Sequence, residues 1–248
     1  MTFNSLAERQ KSYEKPYDYT LTKNLPLIIR VNGRSFTKLT KKLNKPFDIK
    51  LDSIFNLTTL YTLSELQNCV FAYSFSDEVT FIINSSTDEY WYNNRIQKII
   101  SVVSSLFTLT FYKYCLAHEL DFNDPVFDAR IFALPSVEEV INNLIWRQND
   151  CLNKSLMATS IFHLQEKLGM QKCYALLENK TNKEKQDLLI KYCGINFEDN
   201  YPSEFYLGNI YSKNESIING SLKTKWISAP APNFVLEKKI LEELIKHH

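Results

Sequence analysis

Two short segments of this chain hold residues whose types and spacing suit chemistry. The first is Arg30-Val31-Asn32-Gly33-Arg34-Ser35-Phe36, a cation-rich run around one glycine; the second is Ser76-Asp77-Glu78, a hydroxyl followed by two carboxylates. Phosphoryl and nucleotidyl transfer needs hard oxygen ligands, usually two carboxylates, to hold Mg²⁺ ions that neutralise a triphosphate and activate the attacking oxygen. Asp77 supplies one such ligand. Gly33 offers a backbone carbonyl, and its missing Cβ lets phosphate approach the main chain. Alone, Ser76-Asp77-Glu78 also describes an ordinary solvated hairpin tip, so the two segments matter only if the fold brings them together.

The pattern of elements predicts that it does. Leu25 to Val31 reads as a short buried strand ending at an Asn32-Gly33 turn, and Ile54 to Leu66 carries apolar residues at helical spacing. Val70 to Tyr73 and Thr80 to Ile83 read as strands with Ser76-Asp77-Glu78 turning between them. Arg95 to Tyr114 is a long amphipathic helix, and Val126 to Leu134 a fourth strand stopped by Pro135. Ser136 and Glu139 form a capping-box pattern that opens another helix. The order βαββαβ predicts an α+β, ferredoxin-like palm over residues 1–150, with an antiparallel sheet and helices on one face. Residues 151–248 read as a C-terminal helical extension packed on the palm as one unit, to which Ser203 to Ile210 and Lys223 to Ile227 could add strands. The two segments would then lie on neighbouring central strands, where a palm holds its metal ions.

Composition sets the limits on this reading. The chain has 248 residues, 44% hydrophobic, which excludes a disordered or collagen-like polymer. The start of the chain has no apolar signal core and no run of about 18 apolar residues occurs, so no membrane partner and a cytoplasmic location are expected. Five dispersed cysteines without a CxxC pair point to ordinary thiols. None of the four histidines has metal-site spacing, and the terminal His247-His248 pair reads as the remnant of a purification tag. The net charge of +1 argues against a polyanion partner until it is resolved by position. Between Arg30 and Lys50 seven basic residues face one acid, a local net of +6 that leaves −5 for the rest of the chain. A basic strip around a phosphate-sized loop acts as an electrostatic funnel for a triphosphate or an RNA. Tyr90-Trp91-Tyr92 could stack on bases, although packing is the commoner use of such a cluster.

The blocks RVNGRSF, NKPFD, AYSFSDEVTF, RIQKIISVVSSLF, PVFDARIFALPS and WRQNDCLNKSL, in this order between about Leu6 and Leu156, resemble the tRNA(His) guanylyltransferase family of 3′-to-5′ RNA polymerases. The spacing looks closer to the bacterial and archaeal "like" branch. The resemblance implies two Mg²⁺ ions per active site, held at Asn32, the Gly33 carbonyl and Asp77. It implies a triphosphate cradle from Gly33 through Arg34, Ser35 and Phe36 to Thr37. Lys45, Asp48 and Ser76 match positions that bind the activating nucleotide. Arg30, Arg95 and Lys98 match cationic positions around the incoming triphosphate. Arg130, Arg147, Asn153 and Lys154 become candidates for tRNA contact. GTP, ATP and other NTPs, tRNA, and a homotetramer built as a dimer of dimers are the implied partners.

Two departures qualify the resemblance. Thr37 stands where the family usually has His, and Asn32 stands where it has the first metal carboxylate. Three readings of Asn32 remain open: an introduced Asp-to-Asn change, a relative with lost or altered catalysis, or Glu78 acting as replacement ligand. After the WRQND block, Leu152-Asn153-Lys154-Ser155 takes the place of the His-Ile-Asn-Asn segment that helps select tRNA(His), which favours repair of truncated tRNA 5′ ends over dedicated addition to tRNA(His). A catalytically silent NTP- or tRNA-binding palm is the alternative, and a palm-type nucleotide cyclase is opposed by the WRQ and FDAR blocks.

Overall fold

A computed structural model describes residues 5–84, 90–120, 122, 124–218 and 221–246; His247 and His248 lie outside them. In chain order the elements are α1 (Leu6–Glu14), β1 (Leu27–Gly33), α2 (Phe36–Leu39), α3 (Ile49–Glu65), β2 (Cys69–Phe75), β3 (Glu78–Ile83), α4 (Ile96–Ala117) and β4 (Phe127–Ala133). There follow α5 (Val137–Leu168), α6 (Met170–Leu177), α7 (Asn182–Cys193), α8 (Phe197–Asn200), α9 (Glu204–Leu207), β5 (Asn209–Ile218), β6 (Ser221–Pro230) and α10 (Lys238–Lys246). The strands form one antiparallel sheet in the order β4-β1-β3-β2-β5-β6. Its first four strands are the expected ferredoxin-like palm, and β5 and β6 extend the same sheet.

Helices cover both faces, not one. Alternate residues of β1 divide between two cores: Leu27, Ile29 and Val31 pack with Val79 and Phe81 beneath α3 and α4, whereas Ile28 packs with Phe71, Tyr73 and Ile82 against α5 and α10. Strands β2 and β3 are buried along their whole length. Such strands are apolar on both faces, so leaving one face bare would expose several side chains worth about 1.5–3 kcal/mol each on burial. Helix α4 has the length and hydropathy to cross a membrane, and its buried stripe Ile99, Val103, Phe107, Phe111 and Cys115 accounts for that composition by packing on the sheet.

Local chemistry explains the boundaries. Asn32-Gly33 is not a turn: both residues remain in β1, because this central strand has partners on either side to the end. The chain turns at Ser35, whose φ of 57° is left-handed. A Cβ at Gly33 would meet the Phe36 ring at 2.2 Å, so the glycine is required by the ring packed over it. Helix α3 starts at Ile49, five residues before the apolar periodicity, because Asp48 caps it by accepting the Leu51 N–H at 2.9 Å. Only half the expected capping box forms at α5. Ser136 accepts the Glu139 N–H at 3.3 Å, while Glu139 turns to Asn142 at 3.1 Å. Helix α5 then runs about 48 Å and carries the WRQND block and Leu152-Asn153-Lys154-Ser155, so a division at residues 150 and 151 falls inside it. Within Ser203 to Ile210, Glu204–Leu207 form helix α9, and the strand begins only at Asn209. Trp91 leans on the core beneath α4.

Candidate active site

The end of β1 and the turn between β2 and β3 meet as the topology requires. The Gly33 N–H donates to the Asp77 carbonyl at 2.9 Å, which fixes the two segments against each other. Asn32 stands in register between Glu78 on β3 and Asp128 on β4, so the three side chains lie in a row across one sheet face. The Asn32 amide donates to the neighbouring Gly33 carbonyl at 3.2 Å. Ser76 donates to Asp77 at 3.2 Å. Burial pushes the Asp77 carboxyl above the usual carboxylate range, against the opposing pull of Lys154 and Ser76.

Glu78 is engaged by an arginine. Its carboxylate is 4% exposed and clamped by Arg147 through two bonds, of 2.6 Å from Nε and 3.1 Å from a terminal nitrogen. Arg147 also bonds Asp150 at 2.6 Å, and its guanidinium lies over the Trp146 ring, 4.4 Å from its centroid. Two of the three guanidinium nitrogens are engaged with buried or half-buried carboxylates, so Arg147 ties α5 to β3. Asn153 is likewise occupied, accepting from Asn182 of α7. Of the four tRNA candidates, Arg130 remains well exposed beside Asp128. Lys154 sits on Asp150 at 2.9 Å and over Phe75, with its stem on the wall of a cavity.

That cavity, about 330 Å³, opens at the same end of the sheet. Phe36, Thr37, Lys45, Asp48, Ser76 and Asp77 line it, as six of the sequence candidates should, together with Lys154. Asp48 is held by the α3 cap and by two bonds of 3.1 Å from Asn44, so it shapes the wall. The cradle is narrower than expected: the Gly33 and Arg34 N–H groups are spent on Asp77 and Val126 carbonyls. Arg30 does not line the cavity; it lies over Trp146 on the α5 face. Arg95 and Lys98 are also elsewhere. Thr108 of α4 bonds Phe127 next to Gly33, and Arg95 precedes it by more than three turns, about 20 Å along the helix. There Arg95 pairs with Asp18 at 2.7 Å and Lys98 lies over Tyr92.

The sequence profile described as tRNAHis guanylyltransferase matches residues 7–135, and the Thg1 C terminal domain matches residues 138–239. The chain belongs to the tRNA(His) guanylyltransferase family. Members of the tRNA(His) guanylyltransferase family are nucleotidyltransferases. The enzyme of Schizosaccharomyces pombe is 31% identical, with 98% of this chain and 92% of that protein covered. That of Neurospora crassa is 29% identical over 89% of this chain and 76% of its own. A bacterial tRNA(His) guanylyltransferase-like protein solved in complex with ATP superimposes with a TM-score of 0.84 at 28% identity, covering 98% of this chain and 100% of the other. A bacterial tRNA(His) guanylyltransferase-like protein in complex with GTP gives a TM-score of 0.81, also at 28% identity and with the same coverage.

Two Mg²⁺ ions, implied by resemblance to the guanylyltransferase family, meet a donor set of mixed quality. The oxygen donors at the strand ends are of the hard type that Mg²⁺ accepts. The charge is short: with Glu78 committed to Arg147 and an amide at 32, Asp77 is the carboxylate left for a cation at the turn. Among the described residues no group of three His, Cys, Asp or Glu side chains could hold a metal. The residues fit a cation that is held largely by substrate phosphates, as Mg²⁺ commonly is, and do not fit a preformed two-metal cage. Cysteine chemistry contributes nothing here, since burial pushes the Cys69, Cys115 and Cys151 thiols up to about 12.

Sequence reasoning missed Asp128, which only strand register brings beside Asn32, and it missed Asp52. Asp52, in the first turn of α3, lines the cavity with Glu204 of α9. Burial, reinforced by Glu204, pushes its carboxyl up from 3.8 to about 6. The folded chain therefore keeps a proton that the unfolded chain releases near 3.8, and stability falls as pH rises from about 4 to 6. Asp52→Asn is expected to raise the melting temperature at pH 7, by at most about 3 kcal/mol of stability, with the gain vanishing near pH 3. Thermal melts across that range check it; a gain independent of pH refutes the assignment.

Proposed function

We propose that this chain adds nucleotides to the 5′ end of tRNA in the 3′-to-5′ direction, after activating that end with ATP or GTP. The observation that carries the reading is the cavity that gathers Asp77, Ser76, Lys45 and Lys154 at one end of the palm. In the first step the tRNA 5′ phosphate attacks the α-phosphorus of ATP or GTP and pyrophosphate leaves. In the second the 3′ hydroxyl of an incoming NTP attacks the activated 5′ phosphate and the nucleoside monophosphate leaves. Lys45 and Lys154 neutralise triphosphate charge, and Asp77 holds positive charge beside the reacting phosphates. Asp77, the Asn32 side-chain oxygen and the Gly33 carbonyl would hold Mg²⁺, which would supply charge neutralisation and a more acidic attacking hydroxyl. Arg130 offers an exposed cation to tRNA phosphate. The substrate class that fits the Leu152-Asn153-Lys154-Ser155 stretch is a 5′-truncated tRNA, whose repair needs no reading of the His anticodon. A homotetramer completes this reading and is checked by light scattering.

The test uses the full chain with a 5′-truncated, monophosphorylated tRNA, Mg²⁺ and NTPs. Growth at the 5′ end is expected, and Asp77→Asn is expected to slow it roughly 100-fold or more while the melting temperature stays within a few degrees. Growth that survives Asp77→Asn unchanged overturns the role of this cavity. A second reading, a silent palm that binds NTP or tRNA without transfer, is favoured by the Asn32 amide on the Gly33 carbonyl. It prevails if neither this chain nor Asn32→Asp extends tRNA while NTP still binds.

A further inference from the structure

Outside the cavity, Trp146 of α5 holds its indole 54% exposed. A single exposed ring is ordinary; its neighbours here are not. The Arg147 guanidinium lies 4.4 Å from the ring centroid and that of Arg30 lies 5.7 Å from it. Strand register sets Arg30 on β1 directly opposite Arg130 on β4, so two like charges share one sheet face, an arrangement that costs stability. Their countercharges are scarce. Arg147 is committed to Glu78 and Asp150, and exposed Arg130 reaches Asp128 only at 3.8 Å. Among the described residues Arg30 has no carboxylate within ion-pair distance. Burial holds its guanidinium below the ordinary value, and Arg147 and Arg130 press the same way against the pull of Glu78 and Asp128. An exposed aromatic ring bordered by such guanidinium groups offers stacking to a base and positive charge to its phosphates.

Building on the proposed action at tRNA 5′ ends, we infer that Trp146, with Arg30 and Arg130, binds an unpaired nucleotide of the RNA strand that faces the growing 5′ end. Position selects this strand. Arg30 precedes Asn32 by two residues on the same face of β1, about 7 Å, and Trp146 precedes Lys154 by eight residues, about 12 Å along α5. The indole thus stands beside the cavity that takes the reacting 5′ phosphate, and not in it. A tRNA shortened at its 5′ end leaves the opposing nucleotides without partners, so an unpaired base lies next to that end while it grows. Stacking is tolerant of base identity, so one ring serves whichever nucleotide stands opposite. Arg130 meets phosphate through charge alone.

The test is equilibrium binding of the full chain to a 5′-truncated tRNA carrying 2-aminopurine at the first unpaired position opposite the 5′ end, compared with the same tRNA trimmed to a blunt acceptor stem. Binding is expected to quench the 2-aminopurine fluorescence, and the blunt RNA to bind roughly 10-fold more weakly. Trp146→Ala is expected to abolish the quench and to lower affinity for the overhanging tRNA roughly 10-fold, with a smaller loss on the blunt RNA. Trp146→Tyr keeps an aromatic face and should restore most of the quench, whereas Trp146→Met keeps apolar bulk alone and should not, which separates stacking on RNA from packing on Arg147. Arg130→Gln should reduce the slope of log affinity against log salt by about one. A quench that survives Trp146→Ala, an equal loss on both RNAs, or recovery in Trp146→Met as full as in Trp146→Tyr overturns the assignment. If the unaltered chain binds neither RNA, the tRNA reading itself fails; if it binds both equally and without quench, only the role of Trp146 does.

Discussion

Asn32→Asp is expected to accelerate 5′ addition by roughly 100-fold at limiting Mg²⁺. Strand register sets residue 32 between Asp128 and Glu78 on one sheet face. Glu78 is neutralised by Arg147, so a carboxylate at 32 adds one negative charge beside Asp77. One unit charge at about 4 Å is worth roughly 4 kcal/mol toward each cationic charge at an effective dielectric near 20. Repulsion from Asp128 and from the Gly33 carbonyl, which loses the amide now donating to it, offsets part of this. About 2–3 kcal/mol remains, and each 1.36 kcal/mol is tenfold in rate. Two readouts are independent of turnover. Mn²⁺ binding followed by its EPR signal should tighten, and the melting temperature of Asn32→Asp should fall without divalent cation and recover with it. An unchanged rate together with unchanged Mn²⁺ affinity would show that the amide oxygen serves as well as a carboxylate.

Arg147→Ala carries the second large effect, and it is one of stability. The substitution strands Glu78 on a wall where the carboxylate is 4% exposed. Removing one partner of such a pair costs about 3–5 kcal/mol, because the remaining charge is left uncompensated. For a chain of this length that corresponds to a fall of roughly 10 °C in melting temperature. Glu78→Leu combined with Arg147→Met should recover most of the loss, since two apolar side chains of similar volume need no counter-charge. The double-mutant cycle in thermal melts measures the coupling directly. A native melting temperature for Arg147→Ala, with weakened tRNA binding, would mean that the guanidinium serves RNA and not the fold.

These two positions mark what could be read from the chain without its structure. Strand β1, the turn at Ser76-Asp77 and the stripe of α4 were legible, because alternation and the 3.6-residue period are local properties of burial. The ends of elements were less so. Whether Asn32-Gly33 turns or continues depends on partners on both flanks of β1, and α3 starts where Asp48 finds the Leu51 N–H. A second layer of helices on the sheet could have been suspected from the runs Val70 to Tyr73 and Phe81 to Ile83, in which no polar residue alternates with the apolar ones.

The catalytic neighbourhood shows the same division. Sequence alone determined the palm, the family, and the convergence of Gly33 with Asp77, since chain order and right-handed chirality leave few ways to pair four strands. Only the tertiary structure decided what each charge does. Arg147 and Glu78 are 69 positions apart and cancel each other; Arg95 pairs with Asp18; Lys154 lines the cavity; Asp52 stands near Glu204. The physical reason is range. Hydrophobic periodicity and capping are settled within a few residues, whereas the worth of a charge is set by whatever stands within about 4 Å of it, and long-range packing alone chooses that neighbour.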